Sequence, residues 1–219
     1  MCKYDMVLYH GTTHKNGTKI LNTKYKTSKT KINKKSNKKS DHWLGDGVYF
    51  FEDKIHVYDW ILKLFRNHHN LKIINNNNII YSDLFSNYMI LSSKIETDIN
   101  RVWDLNNPEN YITYTEICDE IYNKIRNDKE FENYEISDGT FINIMFEKMG
   151  FNKYYDIVTY TFGFHRPHVQ YNTHMKTILQ KQICVKNLDV IKSTQKYSPS
   201  YNEFEEYYKI LCNVYPHIY

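Results

Sequence analysis

Seven consecutive residues constrain this chain more than any other feature: Gly45-Asp46-Gly47, then Val48-Tyr49-Phe50-Phe51. Two glycines around an aspartate make a turn, and four β-branched or aromatic residues directly after it make a buried strand. Met6 to Tyr9 reads the same way, as a short strand leaving into a turn at His10-Gly11-Thr12. Helical spacing follows at residues 15–21 and again from Ile55 through Tyr58 and Ile61 or Leu62 to Phe65. Residues 79–81, 88–92, 101–105, 156–162 and 182–186 read as further strands. The box Thr113-x-x-Glu116 predicts the start of one helix, and apolar positions from Ile142 to Met149 predict a second over residues 139–149. Pro199 and Ser200-x-x-Glu203 predict a third, with acidic residues in its first turns. Strands and helices in this order predict a single α+β domain over residues 1–219.

Composition enters where it limits function. The 219 residues are 41% hydrophobic, enough for a sizeable core. No run approaches the roughly 18 apolar residues of a membrane span, and the first residues lack an apolar secretion signal. The expectation is a cytoplasmic protein with no membrane partner. Its four cysteines, at 2, 118, 184 and 212, have no paired metal or redox spacing and read as reduced structural thiols. The asparagine run at residues 75–78 reads as a loop. Charge is uneven: ten of the 29 basic residues are lysines between Met6 and Ser40, where no Asp or Glu occurs, so the rest carries 19 basic against 25 acidic residues. That Lys-rich loop, at about residues 24–40, is either an anion-seeking arm for a polyanion or a solvated tract.

Three segments set polar side chains beside glycine or on a strand: Leu8-Tyr9-His10-Gly11-Thr12, then residues 41–51, then Gln180-Lys181-Gln182-Ile183-Cys184-Val185-Lys186-Asn187. In this order they resemble the ADP-ribosyltransferase superfamily, in the branch whose His-Tyr-Glu signature is shared by diphtheria toxin and the poly(ADP-ribose) polymerases. Tyr-His-Gly-Thr is similar to that family's first motif and Gly-Asp-Gly-Val-Tyr-Phe to its second. Residues 156–191 resemble the closing strands of a little-characterised bacterial group. The likeness covers about residues 7–62 and 156–191. It implies a split β-sandwich of two small twisted sheets flanked by helices, and NAD as substrate. It further implies that His10 bonds a ribose hydroxyl, assisted by Thr12, and that the Gly11 backbone meets the nicotinamide amide. Tyr49 would lie against the nicotinamide ring, and Gly45 and Gly47 would shape the cleft floor. His10 and Tyr49 are thus expected with their rings side by side.

Two positions depart from the pattern. Gln182 stands where the family carries its catalytic glutamate, with Gln180 on the same strand face. A neutral amide can hold a ribose but cannot offset the positive charge that develops as nicotinamide leaves, a loss of about 10²–10³ in rate for one well-placed group. The family's serine for the nicotinamide amide is absent after Tyr49, where Val57 falls nearby. The resemblance implies mono-ADP-ribosylation of a macromolecular acceptor, protein or nucleic acid. The alternatives are a non-catalytic module that binds NAD or ADP-ribose, and an NAD-dependent RNA 2′-phosphotransferase. Outside the motifs, His165, His168 and His174 lack a metal-ligand spacing. Arg166 is either a pyrophosphate contact or a surface residue, His68-His69 cap a helix end, and Glu52 and Asp53 start a helix.

Overall fold

Strand pairing carries the first motif further than its glycine suggests. β1 runs Lys3–Thr13 and pairs along its whole length with β3, Tyr88–Asp98. His10, Gly11 and Thr12 therefore lie inside a strand, opposite Leu91, Ile90 and Met89, and not in the turn predicted for them. This computed structural model describes residues 2–29, 42–69, 77–126, 136–165 and 177–215. Most of the Lys-rich tract, Asn75, Asn76, Arg166, His168 and His174 lie outside those residues, as do the side chains of His68, His69 and His165.

The element order is β1, α1 (His14–Thr23), β2 (Val48–Phe51), α2 (Lys54–His69), α3 (Asn77–Asn87), β3, β4 (Val102–Asp104), α4 (Pro108–Ile125), α5 (Asp138–Lys148), β5 (Ile157–His165), β6 (Thr177–Val185), β7 (Ile191–Tyr197) and α6 (Tyr201–Val214). The fold is mixed α/β, with six α-helices and one seven-stranded mixed sheet among the described residues, in the order β4-β5-β6-β2-β1-β3-β7. Among the described strands β4 and β5 are the one parallel pair. The expected pair of separate sheets is replaced by two ladders, β4-β5-β6-β2 and β1-β3-β7, that share one register pair, Tyr9↔Phe51. Both ladders feed one cluster on one face: Tyr4, Leu8, Met89 and Leu91 from the first motif's side pack with Val48, Phe50, Ile157, Ile183 and Val185 from the other. On the opposite face α2, α3 and α6 cover one ladder, with Val57, Leu84, Ile90 and Phe204 fully buried. There α4 and α5 cover the other around Trp103, Ile142 and Val158.

Two sequence readings are corrected. Residues 79–81 begin a helix, not a strand: Ile80 and Leu84 are one helical turn apart and both buried against α2 and α6, and an apolar run of three is too short to show its period. α4 starts at Pro108, because the Asn107 side chain accepts from the Glu109 and Asn110 amides and proline suits the first helical position. Thr113 is inside that helix and donates its hydroxyl to the Glu109 carbonyl at 3.0 Å. The cap at Ser200, by contrast, forms as read, accepting from the Glu203 amide at 3.1 Å.

Asp156 ties the end of this sheet together. Its buried carboxylate accepts from Thr97 Oγ1 (2.6 Å), Arg101 Nε and Nη2 (2.7 and 2.9 Å) and Asn187 Nδ2 (2.9 Å). Burial opposes its ionisation, but these donors and the guanidinium charge outweigh it and hold the carboxyl below its usual range. Asp156→Ala removes the acceptor of four donors and is expected to cost about 3 kcal/mol in urea unfolding, with Asp156→Asn recovering only part of it.

Candidate functional site

The middle of the sheet assembles the three motifs on adjacent strands. Tyr9 on β1 pairs with Phe51 on β2, Phe51 with Gln182 on β6, and Gln182 with Tyr160 on β5, so one row of residues crosses all four strands on one face. Gln180 and Phe162 form the next row on that face. Gln182 donates its side-chain amide to Gln180 Oε1 at 3.1 Å, and Gln180 is buried. Gln180 and Gln182 thus share a face, as expected.

His10 and Tyr49 meet differently from the sequence expectation. His10 Nδ1 lies 2.7 Å from the Tyr49 carbonyl oxygen, and since a carbonyl only accepts, the imidazole donates from Nδ1 and keeps Nε2 as an acceptor. The ring neighbours of His10 are Tyr25, edge-on at 5.4 Å, and Phe50 at 5.8 Å. Successive residues of β2 face opposite ways, so the Tyr49 phenol is on the other face from Phe50 and packs with Leu44 and Cys184. The expectation of two rings side by side is therefore corrected: it is the backbone of Tyr49 that meets the imidazole. The physical reason is the period of two along a strand.

The Tyr49 phenol holds its own turn. Its hydroxyl donates to the Gly45 carbonyl at 2.7 Å and accepts from the Leu44 amide at 2.9 Å, and burial pushes its pKa well above the ordinary value of 10.0. Lys186, the residue after β6, holds the same turn, donating to the Leu44 and Asp46 carbonyls, each at 2.6 Å. Burial lowers the Lys186 pKa although neighbouring groups oppose it. Asn143 on α5 closes the turn, accepting from the Asp46 amide at 2.6 Å. Gly45 has φ +73°, so a side chain there would be strained. Gly47 sits against β6, where a Cβ would come 2.8 Å from the Val185 carbonyl, and contributes packing between strands in place of a cleft floor.

Gly11 and Thr12 continue β1 past the single β1–β2 pair. Extending that register sets Gly11 across from Tyr49 on the same face, and Thr12 on the His10 face. A Cβ on Gly11 would meet Ile61 at 2.6 Å and Val57 and Trp60 at 3.2 Å, so the glycine is required by the close approach of α2. Val57, at the position of the family's serine, is fully buried and apolar. Trp60 is 46% exposed beside Gly11. Sequence reading missed it because helical spacing puts it off the apolar stripe of α2, and missed Lys186 because a lysine after a strand looks solvated. Of the other polar residues, Glu52 pairs with Lys181 at 3.0 Å, and Asp53 is exposed just before α2.

Burial lowers the His10 pKa below 6.5, against its bond to the Tyr49 carbonyl, and burial also lowers that of His56. An unfolded histidine takes up a proton that the folded one refuses, so stability is lost as pH falls through 6.5 toward the lower folded values. Melting temperature should therefore fall from about pH 7 to about pH 5, and His10→Gln should flatten that slope. An unchanged slope would mean the imidazole is not desolvated. Tyr49→Phe keeps the ring but loses both turn bonds, and is expected to cost about 2 kcal/mol in urea unfolding.

Among known proteins, the chain is 30% identical over 210 residues to "Uncharacterized protein MJ0359" of Methanocaldococcus jannaschii, an alignment covering 88% of this chain and 87% of that protein. No protein-family model matches the sequence. No solved structure matches it significantly.

Proposed function

The chain belongs to the same family as the Methanocaldococcus jannaschii protein, and from its three motif segments we propose that it is an NAD-dependent ADP-ribosyltransferase acting on a macromolecular acceptor. One observation supports this reading above the others. The three motif segments, far apart in sequence, occupy the adjacent strands β1, β2 and β6, with His10 bonded to the Tyr49 backbone and Gln182 in the row of Tyr9 and Phe51. The two ladders joined at one register pair, with a core common to both, are in keeping with a split β-sandwich of the ADP-ribosyltransferase type.

In this reading NAD is the substrate. The neutral His10 accepts a ribose hydroxyl at Nε2, because Nδ1 is already committed to the Tyr49 carbonyl. The nicotinamide amide meets the Gly11 backbone where β1 passes beyond its single pair with β2. The bond between nicotinamide nitrogen and ribose C1′ breaks with its electron pair going to nicotinamide. An acceptor nucleophile then bonds C1′ and releases its proton. Gln182, a neutral amide in the glutamate's place, cannot stabilise the cationic carbon, so turnover is slow and one ADP-ribose is transferred per site.

A second reading, an NAD- or ADP-ribose-binding module without chemistry, is favoured by the amide-to-amide bond between Gln182 and Gln180. Labelled NAD separates the two. The transferase reading expects free nicotinamide together with label on acceptor, a loss of about tenfold or more in His10→Ala, and a gain of about 10² in Gln182→Glu. NAD binding in calorimetry with no nicotinamide release assigns the module. Absence of binding to both NAD and ADP-ribose overturns both.

A further inference from the structure

The edge that β2 turns toward β1 is engaged at three alternate residues. Phe51 pairs with Tyr9 on β1, the Tyr49 carbonyl accepts from the His10 imidazole, and Gly47 exchanges backbone hydrogen bonds with Ser28 at 3.0 and 3.1 Å. Backbone groups two residues apart point to the same side of a strand and are spaced by about 7 Å. Ser28 therefore stands on the same edge as His10, one step further along, where β1 no longer pairs with β2. It is exposed there.

The Ser28 hydroxyl faces a base. His42 Nε2 lies 3.2 Å from Ser28 Oγ, and Asp46 Oδ1 lies 3.8 Å from His42 Nδ1. That Nδ1 is buried and has no hydrogen-bond partner among the described residues, so a ring proton on it faces the Asp46 carboxylate and leaves Nε2 to accept from the serine. Asn143 on α5 sets the carboxylate, donating Nδ2 to Asp46 Oδ1 at 3.2 Å and accepting from the Asp46 amide at 2.6 Å. The same helix is seated against His42, since a Cβ on Gly139 would fall 1.8 Å from the His42 carbonyl oxygen.

A hydroxyl, an imidazole and a carboxylate in line are the parts of an activated nucleophile. The surroundings choose its electrophile. Acyl transfer builds negative charge on oxygen and needs donors for it, but the amides of Ser28, Leu44, Gly45, Asp46 and Gly47 are already bonded. Glycosyl transfer builds positive charge on carbon and needs no such donors.

We propose that Ser28 is an acceptor of ADP-ribose on this same chain, with His42 as its general base and Asp46 as the residue that positions His42. This rests on the transferase reading above and names an acceptor for it. The bond between nicotinamide nitrogen and ribose C1′ breaks with its pair going to nicotinamide, and Ser28 Oγ bonds C1′. The hydroxyl proton passes to His42 Nε2 and from there to solvent, and the imidazolium formed on the way faces the Asp46 carboxylate.

Labelled NAD given to the full chain, with the modified residue located by electron-transfer mass spectrometry, tests this. The expected results are ADP-ribose on Ser28, a yield per chain unchanged on dilution, and a fall of about 10² in labelling rate in His42→Ala. Added imidazole should restore part of that rate, which it could not do for a turn that had merely lost its shape. Ser28→Ala should lose the label and keep nicotinamide release, because water then takes the ribose. Nicotinamide release with no label on Ser28, labelling that persists in His42→Ala, or a yield that falls on dilution overturns the inference and leaves the transferase standing. No release of nicotinamide overturns the transferase, and Ser28 as its acceptor along with it.

Discussion

The hydrogen bond from the His10 imidazole to the Tyr49 carbonyl stands where the sheet stops pairing with itself. β1 and β2 share one register pair, and beyond it each strand belongs to a different ladder. The imidazole carries the connection one step further. That bond fixes which ring nitrogen holds the proton, and the surrounding Tyr25 and Phe50 keep the ring neutral. Position, tautomer and charge of one side chain therefore follow from a single geometric fact, the divergence of two strands.

The turn before β2 is the second fixed point. Residues 44–47 are gripped from three elements: by Tyr49 from its own strand, by Lys186 from the end of β6, and by Asn143 from α5. The lysine ammonium donates to two backbone carbonyls, and the nearby Asp46 and Glu147 carboxylates oppose the burial that disfavours its charge. The same residues thus link the glycine motif to the strand carrying the glutamines, and the candidate site inherits its shape from the packing beneath it.

Much of this was legible in the sequence, and the misses have physical causes. The strand after Gly47, the cap at Ser200 and the helix beginning near Ile55 follow local rules of turn, cap and period, which act over a few residues. His10-Gly11-Thr12 looked like a turn because glycine commonly ends strands, whereas here it lets α2 approach β1. Tyr49 was read as a ligand-facing ring, yet its hydroxyl is engaged in the turn, a contact set by Leu44 and Gly45 that no pattern of residue types announces. Trp60 and Lys186 gained their meaning only from neighbours distant in sequence. Gln182 and Gln180 were placed on one face correctly, since period two needs no tertiary information.

The bridge between Ser28 and Gly47 has an evolutionary consequence. Because the two backbones clasp one another at the neck of the segment they enclose, residues can be added to or deleted from that segment at small entropic cost, which grows only as the logarithm of loop length. Relatives are free to swap the charge, size or chemistry of the insert while the strands below keep their register.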